Sequence, residues 1–250
     1  MNDKDRIAGA TKALAVIEAF DKDHPRMNPA NVAELTGLTR TAARRYLLTL
    51  AEAGYAETDG RLFWLAPRVL RAGTAYFASA RLPRIAQPFL QRITAAVQES
   101  ALLAVLDGDD VVYIARNGAD RVTTVGFVLG SRVAAPLSSA GMIVLAYQPP
   151  ERVAAFLARY EPKVFTPLTI VDKARLRTGI EQVLQCGYAL SEQQLEVGMR
   201  GVAVPLRNHN GVVIGAISVS MPMGQESGSA ALARVLPALQ ETASLLRGVV

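Results

Sequence analysis

Residues 28–65 have the sequence NPANVAELTGLTRTAARRYLLTLAEAGYAETDGRLFWL, in which the signals for two helices and a hairpin follow one another. Asn28-Pro29 predicts a helix start, because asparagine caps helices and proline is tolerated at their first position. We expect this short helix to span Pro29–Leu35. It should stop at Gly37, since glycine readily adopts the positive φ of a tight turn.

A second helix is expected to be capped by Thr39 and to run to about Ala53. Its apolar positions Ala43, Leu47 and Leu50 are spaced by four and three residues, which places them on one inward face. The polar positions near its start are Arg40, Thr41, Arg44 and Arg45. The beginning of a recognition helix meets base edges in the major groove, where arginine can bind guanine through two hydrogen bonds.

A hairpin is predicted directly after this helix, from Tyr55–Glu57 and Leu62–Leu65, with the turn-favouring dipeptide Asp59-Gly60 between them. Arg61 in this wing could contact a phosphate or the minor groove. A helix with arginines on one side could also be an ordinary solvated surface helix. The glycine turn before it and the hairpin after it favour a winged helix-turn-helix that binds double-stranded DNA.

The composition is that of a globular protein, with 250 residues, half of them hydrophobic, and a mild net charge of +5. We expect a cytoplasmic protein with no membrane partner, because no apolar run reaches about 18 residues and the N-terminus lacks the layout of a signal peptide. Cys186 is the only cysteine, which excludes an internal disulfide and a multi-thiolate metal site. We expect it to be a core residue.

Before the helix-turn-helix, Ala8–Asp21 is predicted to form a helix. Its expected apolar stripe consists of Ala13, Leu14, Val16, Ile17 and Phe20. A helix over Pro67–Ala80 is expected to act as a connector, with a boundary near Leu82-Pro83. The predicted domains are therefore a winged helix-turn-helix over residues 1–66, a linker helix over 67–82 and a second domain over 83–250.

The second domain is expected to belong to the α+β class, with an antiparallel sheet and flanking helices, because strand signals occur in hairpins and helix signals are grouped. Its predicted strands are Ser100–Leu106, Val111–Asn117, Val122–Leu129, Gly201–Leu206 and Val212–Ser220. Its predicted helices are Ile85–Gln98, Ser139–Tyr147, Glu151–Arg159, Asp172–Cys186 and Ala230–Arg247.

Enzyme chemistry has little support in the sequence. His24 and His209 are the only histidines and fall in predicted turns, so we expect no zinc site. No GxSxG elbow is present, and no glycine-rich segment has the spacing of a phosphate-binding loop, so we expect no cofactor. The sequence alone does not exclude a catalytic Ser-His-Asp triad. The carboxylates of Glu192–Glu196 are expected to lie on a solvated loop.

Three segments resemble the IclR family of bacterial transcriptional regulators: VAELTGLTRTAARRYLLTLAEAGYAETDGRLFWLAPRVL, PLSSAGMIVLAY and GYALSEQQLEVGMRGVAVPLRNHNGVVIGAISVS. With the first helix they span nearly the whole chain, in the order typical of the family. The amino-acid sequence of the first segment is most similar to that of the family members that regulate aromatic-acid catabolism through β-ketoadipate. The resemblance implies a GAF-like effector domain, homodimers that often pair into tetramers, and a small carboxylate as effector.

The resemblance also implies which residues bind the effector: Val125, Ser139, Ala140, Ser191, Gly201, Ser218 and Ser220. Three positions depart from the family pattern. Met142 stands where a basic residue is usual, Ser191 where an acidic one is frequent, and Gly201 where cysteine or serine is frequent. These departures suggest a larger or less polar pocket than in relatives, or a different effector.

The proposed effector positions are also reasonable physically. Ser138–Gly141 opens a predicted helix, whose free N–H groups and positive dipole end would favour an anion. Ser218 and Ser220 are two apart on a strand and share a face. The alternative is an ordinary capped helix and two serines with other partners. For the whole chain, the alternative to a ligand-responsive DNA-binding regulator is a sensory or enzymatic domain whose helix-turn-helix serves only protein contacts.

Overall fold

A computed structural model describes residues 7–118 and 127–250 of the chain. They divide into two compact units, with the boundary between Ala78 and Ser79. The elements that begin before this boundary are α1 (Ala8–Glu18), α2 (Pro29–Thr36), α3 (Arg40–Glu52), β1 (Ala56–Thr58), β2 (Phe63–Leu65) and α4 (Leu70–Ser79). A 3-10 turn over Pro67–Val69 precedes α4. Helix, helix-turn-helix and hairpin therefore follow one another in the predicted order.

The two helix caps of the helix-turn-helix form as the sequence predicts. Asn28 Oδ1 accepts hydrogen bonds from the backbone N–H groups of Ala30 and Asn31. Gly37 ends α2 with a φ of 68°, and Thr39 caps α3. The core of this unit is small and contains the predicted inward face of α3. Its buried members are Val16, Met27, Val32, Ala43, Leu47, Leu50, Ala56 and Phe63.

The first helix is shorter than predicted. It ends at Glu18 rather than at Asp21. The Asp21 carboxylate accepts hydrogen bonds from the N–H groups of Asp23 and His24, and this local turn competes with helix continuation. Leu14 was expected on the buried stripe but is 58% exposed, while Val16 is fully buried.

The hairpin has a longer loop than the two-residue turn that Asp-Gly favours. Thr58 pairs with Phe63, which leaves residues 59–62 as a four-residue loop. The Asp59 carboxylate accepts hydrogen bonds from the backbone N–H groups of Leu62 and Arg61 and thereby closes this loop. The same two hydrogen bonds lower the pKa of the Asp59 carboxyl below its usual value.

The second unit is an antiparallel sheet with helices on both faces, which confirms the α+β class. Its helices are α5 (Arg81–Val97), α6 (Ser139–Ala146), α7 (Pro150–Arg159), α8 (Lys173–Cys186) and α9 (Gly228–Arg247). Its strands are β3 (Ser100–Asp107), β4 (Asp110–Asn117), β5 (Arg132–Ala134), β6 (Ala189–Glu192), β7 (Met199–Arg207) and β8 (Val213–Pro222). Among the described residues the strand order is β5-β4-β3-β8-β7-β6.

Each face of the sheet has its own hydrophobic core. On one face, Leu90 of α5 and Leu239 of α9 pack with Leu103 of β3. On the other face, Ile143 of α6 and Ile180 of α8 belong to a second cluster, which also contains Leu102 and Tyr113 from the sheet. Successive strand residues point to opposite faces, so neighbours such as Leu102 and Leu103 serve different cores.

Helix α5 begins four residues before the predicted start at Ile85. Pro83 lies in the first turn of this helix, where its missing N–H has no intrahelical partner to lose. Most of the predicted strand Val122–Leu129 lies outside the described residues, and its described end, 127–129, is not in a strand. The short strands β5 and β6 were not predicted.

Cys186 was expected in the core and is exposed. The buried residues of α8 are Leu176, Ile180 and Val183. The next position in this helical period is residue 187, so Cys186 lies off the buried stripe at the last position of the helix.

Candidate functional site

The start of α3 presents an exposed cationic surface opposite its buried face. Arg40 and Arg44, and likewise Thr41 and Arg45, are one helical turn apart. The exposed residues of this surface on α3 are Arg40, Thr41, Arg44 and Arg45, and Arg61 in the hairpin loop is exposed as well. Within residues 7–118 and 127–250, none of these arginines is held in a salt bridge to a carboxylate. Their guanidinium groups can therefore bind an external anion without breaking an ion pair.

Thr39 has a structural role at the start of this surface. Its Oγ1 accepts a hydrogen bond from the backbone N–H of Ala42 at 3.2 Å. We expect Thr39→Ala to lower the free energy of unfolding by about 1 kcal/mol, the usual loss for a helix cap. Urea unfolding measures this. Thr39→Ser keeps the hydroxyl and should be close to the wild type, and equal losses in both variants would contradict a capping role.

A cavity of about 320 Å³ lies in the second unit, on the α6 face of the sheet. Of the predicted effector positions, the following line it: Ser139, Ser191, Gly201, Ser218 and Ser220. Ala140 is fully buried beside Ser139 and does not line the cavity. Val125 lies outside the described residues.

Strand register explains why residues distant in sequence meet at this cavity. Gly201 of β7 pairs with Ser191 of β6 on one side and with Ser220 of β8 on the other. Directly opposed residues in antiparallel strands project from the same face, so these three form a row across the sheet. Ser218 lies two positions from Ser220 and therefore shares its face.

The two serines at the start of α6 have different roles. Ser138 is the N-cap, and its Oγ accepts a hydrogen bond from the N–H of Gly141 at 3.0 Å. Burial raises the pKa of the nearby Tyr113 hydroxyl, and the Ser138 side chain offsets only part of that rise. The Ser139 hydroxyl instead lies over Gly201, where an added Cβ would be only 2.7 Å from its Oγ. Ser139 is thus the serine available to a ligand.

One wall of the cavity is aromatic. The rings of Tyr113 and Phe127 stack with their centroids 4.4 Å apart and their planes at 10°. Both residues line the cavity, as do Leu102 and Leu137. Sequence reasoning missed them, although the alternation of buried residues in β4 could have placed Tyr113 on a core face. Such a wall can pack against a planar apolar group.

A loop over residues 193–198 forms the polar side of the cavity, and sequence reasoning missed it as well. Gln193 has a positive φ of 53°, and its Oε1 accepts a hydrogen bond from the N–H of Gly198. Thr166 and Thr169 donate their hydroxyl hydrogens to the carbonyl oxygens of Gln193 and Gln194. These hydrogen bonds hold the loop over the cavity.

Glu192 was expected on a solvated loop, but it lies in the strand β6. Its Oε1 accepts a hydrogen bond from Nε of Arg200 at 2.6 Å. Arg200 borders the cavity, but its side chain is 2% exposed and both of its terminal nitrogens donate to the carbonyl oxygen of Glu226. It pairs with Met221, which packs in the core on the α9 face. Its charge is therefore directed away from the cavity.

In the described part of the chain, no group of three or more His, Cys, Asp or Glu side chains is placed to hold a metal ion. The described helices include none that is long and apolar enough to span a membrane.

Two family models match the chain and together span most of it. The model described as the IclR helix-turn-helix domain matches residues 9–60. The model described as the bacterial transcriptional regulator IclR C-terminal domain matches residues 74–247.

Two curated relatives match over almost the whole chain. The p-hydroxybenzoate hydroxylase transcriptional activator of Acinetobacter baylyi is 38% identical over 99% of this chain and 93% of its own length. The Pca operon regulatory protein of the same organism is 35% identical over 98% of this chain and 90% of its own length.

Solved structures show the same fold. A chain from Rhodococcus sp. RHA1 is 36% identical, with a TM-score of 0.77 over 97% of this chain and 98% of that one. The inducer-binding domain of an Acinetobacter PobR double mutant, in complex with 3-hydroxybenzoic acid, is 32% identical. Its TM-score is 0.64 over 68% of this chain and all of that domain.

Proposed function

Because the chain belongs to the IclR family of DNA-binding transcriptional regulators, we propose that it senses a small aromatic carboxylate and controls genes of aromatic-acid catabolism. The observation that carries this proposal is the cavity beside α6, which combines a stacked aromatic wall with serine hydroxyls at a helix start. Two relatives are named for p-hydroxybenzoate and Pca regulation, and one related domain is named in complex with 3-hydroxybenzoic acid.

The chain is a regulator and not an enzyme, since the family and its named relatives are transcriptional regulators. This membership also favours DNA binding over a helix-turn-helix that serves only protein contacts. For DNA recognition we propose that Arg40, Thr41, Arg44 and Arg45 contact the major groove. Arg61 would contact the backbone or minor groove, with Thr39 as the cap that fixes the start of the helix.

Size, shape and polarity of the cavity all favour an aromatic acid. Its volume of about 320 Å³ lies at the lower end of the range for small-molecule sites, which suits a single substituted ring. The ring would pack on Tyr113 and Phe127, while Ser139, Ser218 and Ser220 would donate hydrogen bonds to the polar substituents. The positive end of α6 would favour the negative charge.

We expect hydroxybenzoates to raise the melting temperature of the protein. At a ligand concentration 100 times the Kd, binding to the folded state alone would add about 2.7 kcal/mol to its stability. Differential scanning calorimetry with 3- and 4-hydroxybenzoate measures this shift, with hexanoate as a non-aromatic carboxylate control. A panel in which only non-aromatic ligands shift the melting temperature would contradict the proposal.

We further propose that the regulator acts in the cytoplasm as a homodimer or a dimer of dimers. Two-fold dimers place their recognition helices about 34 Å apart on one face of the DNA. An effector that binds one arrangement of the two subunits better than another would shift the population towards it and change the fit to a two-fold operator. Analytical ultracentrifugation with and without operator DNA measures the state of assembly.

A further inference from the structure

Arg116 of β4 projects from the face of the sheet that carries the cavity. In the strand register, Leu102 of β3 lies between Arg116 of β4 and Ser218 of β8. Opposed residues in antiparallel strands share a face, and both Leu102 and Ser218 line the cavity. The guanidinium group of Arg116 therefore belongs to the same side of the sheet as the cavity.

Two buried donor groups of Arg116 meet no acceptor among the residues that the structure describes. Its Nε and Nη2 atoms are buried, and no hydrogen-bond acceptor within residues 7–118 and 127–250 meets either of them. A buried guanidinium donor without an acceptor loses its hydration and gains nothing in return. Arg200 has the opposite arrangement, because its nitrogens bind Glu192 and the Glu226 carbonyl on the other face.

The described lining of the cavity offers no positively charged side chain to a carboxylate. Among its described lining residues the charged ones are Glu196 and Arg200, and the Arg200 side chain runs to the opposite face. The N-terminus of α6 is equivalent to only about half a positive charge. A planar guanidinium with two free N–H groups matches the two oxygens of a carboxylate, which is the pairing that arginine makes best.

We propose that Arg116 binds the carboxylate of the effector and makes this site selective for acids over their uncharged analogues. The inference rests on the proposed function, since it specifies how the same cavity recognises an aromatic acid. Arg116 does not line the cavity itself, so its guanidinium must reach the ligand by rotation about the torsions of its long side chain. No acceptor in the described part of the chain meets its two buried donors, and the carboxylate would supply one.

The test compares an acid with its neutral amide on the full-length protein. Isothermal titration calorimetry with 4-hydroxybenzoate and 4-hydroxybenzamide should show that the wild type binds the acid at least about 30-fold more tightly, the effect of one buried charge pair. In Arg116→Gln the affinity for the acid should fall by about the same factor, while that for the amide stays unchanged. Arg116→Lys retains the charge and should recover part of the preference.

The matched control is Arg132→Gln in the neighbouring strand β5. Arg132 pairs with Val112, which packs on the α5 face, and its guanidinium forms exposed salt bridges with Asp107 and Asp110. This variant removes the same charge from the same sheet, and it should keep the wild-type preference for the acid.

A second measurement separates ligand recognition from a structural role. Because its donors are uncompensated without ligand, Arg116→Gln should leave the ligand-free melting temperature equal to or above that of the wild type. The inference is overturned if Arg116→Gln binds the acid like the wild type, or if it loses stability and binds acid and amide equally poorly. If the wild type itself binds no aromatic acid, the proposed function fails, and the inference with it.

Discussion

Replacing Arg44 and Arg45 together by alanine is expected to lower the affinity for operator DNA by about 30-fold or more. Each arginine that binds a base edge or a phosphate on α3 contributes about 1–3 kcal/mol, so two losses together exceed about 2 kcal/mol. Both side chains are exposed on the face opposite Leu47 and Leu50, so the helix should fold without them. Fluorescence anisotropy with operator DNA measures the affinity.

The salt dependence of the same titration identifies the type of contact. Each arginine–phosphate contact that is lost should reduce the slope of log affinity against log salt by about 1. A double variant of Arg92 and Arg132, which lie in exposed salt bridges of the second unit, removes the same formal charge far from α3 in sequence. Unchanged affinity and slope in the Arg44 and Arg45 variant would rule out their role in DNA recognition.

Replacing Gly141 by alanine is expected to lower the stability of the effector domain by about 3 kcal/mol or more and to abolish effector binding. An added Cβ would lie 2.0 Å from the carbonyl oxygen of Ala135 and 2.6 Å from its carbonyl carbon. These are backbone atoms of the 3-10 turn Ala135–Leu137, so α6 must move away from the turn that precedes it. Overpacking of this kind is among the larger destabilising changes.

Urea unfolding and the hydroxybenzoate-induced shift in melting temperature measure the two effects of Gly141→Ala. The matched control is Gly179→Ala in α8, where the added Cβ would meet only the flexible end of Met142, at 3.1 Å. Because alanine favours helices by about 1 kcal/mol over glycine, the control should stay near or above wild-type stability. A Gly141→Ala protein with normal stability and binding would show that the turn at Ala135 yields easily.

The helix-turn-helix could be predicted from the sequence because its signals are local. The cap at Asn28, the turn at Gly37 and the cap at Thr39 each depend on residues within three positions along the chain. The buried positions of α3 also follow directly from helical spacing. The length of the hairpin loop was less predictable, since it depends on how the Asp59 carboxylate binds its neighbours.

The cavity was predictable only in part, because it depends on strand register. Ser139, Ser191 and Gly201 were placed through a family resemblance, and the pairing of β6, β7 and β8 brings them together. Arg116 and Tyr113 were missed. The register of β3 and β4 shifts between Leu103 and Ala104, so a simple alternation along β4 places Tyr113 on the cavity face but puts Arg116 on the wrong one.

Local sequence alone does not distinguish some neighbouring residues. Ser138 and Ser139 look equivalent in sequence, and the family resemblance selected Ser139, whereas Ser138 accepts the capping hydrogen bond from Gly141. Cys186 was expected in the core on the basis of residue type, whereas its position relative to the buried stripe of α8 leaves it exposed.

The two units can fold at different times during synthesis, because the second unit depends on the pairing of β3 with β8. Every element of the helix-turn-helix and its hairpin lies before residue 66, so these contacts form as soon as that part of the chain emerges. Ser100 must instead wait for its partner Ser220, which is translated much later. A nascent or truncated chain that stops before β8 would thus fold its helix-turn-helix unit without the effector cavity. We expect such a chain not to respond to the effector.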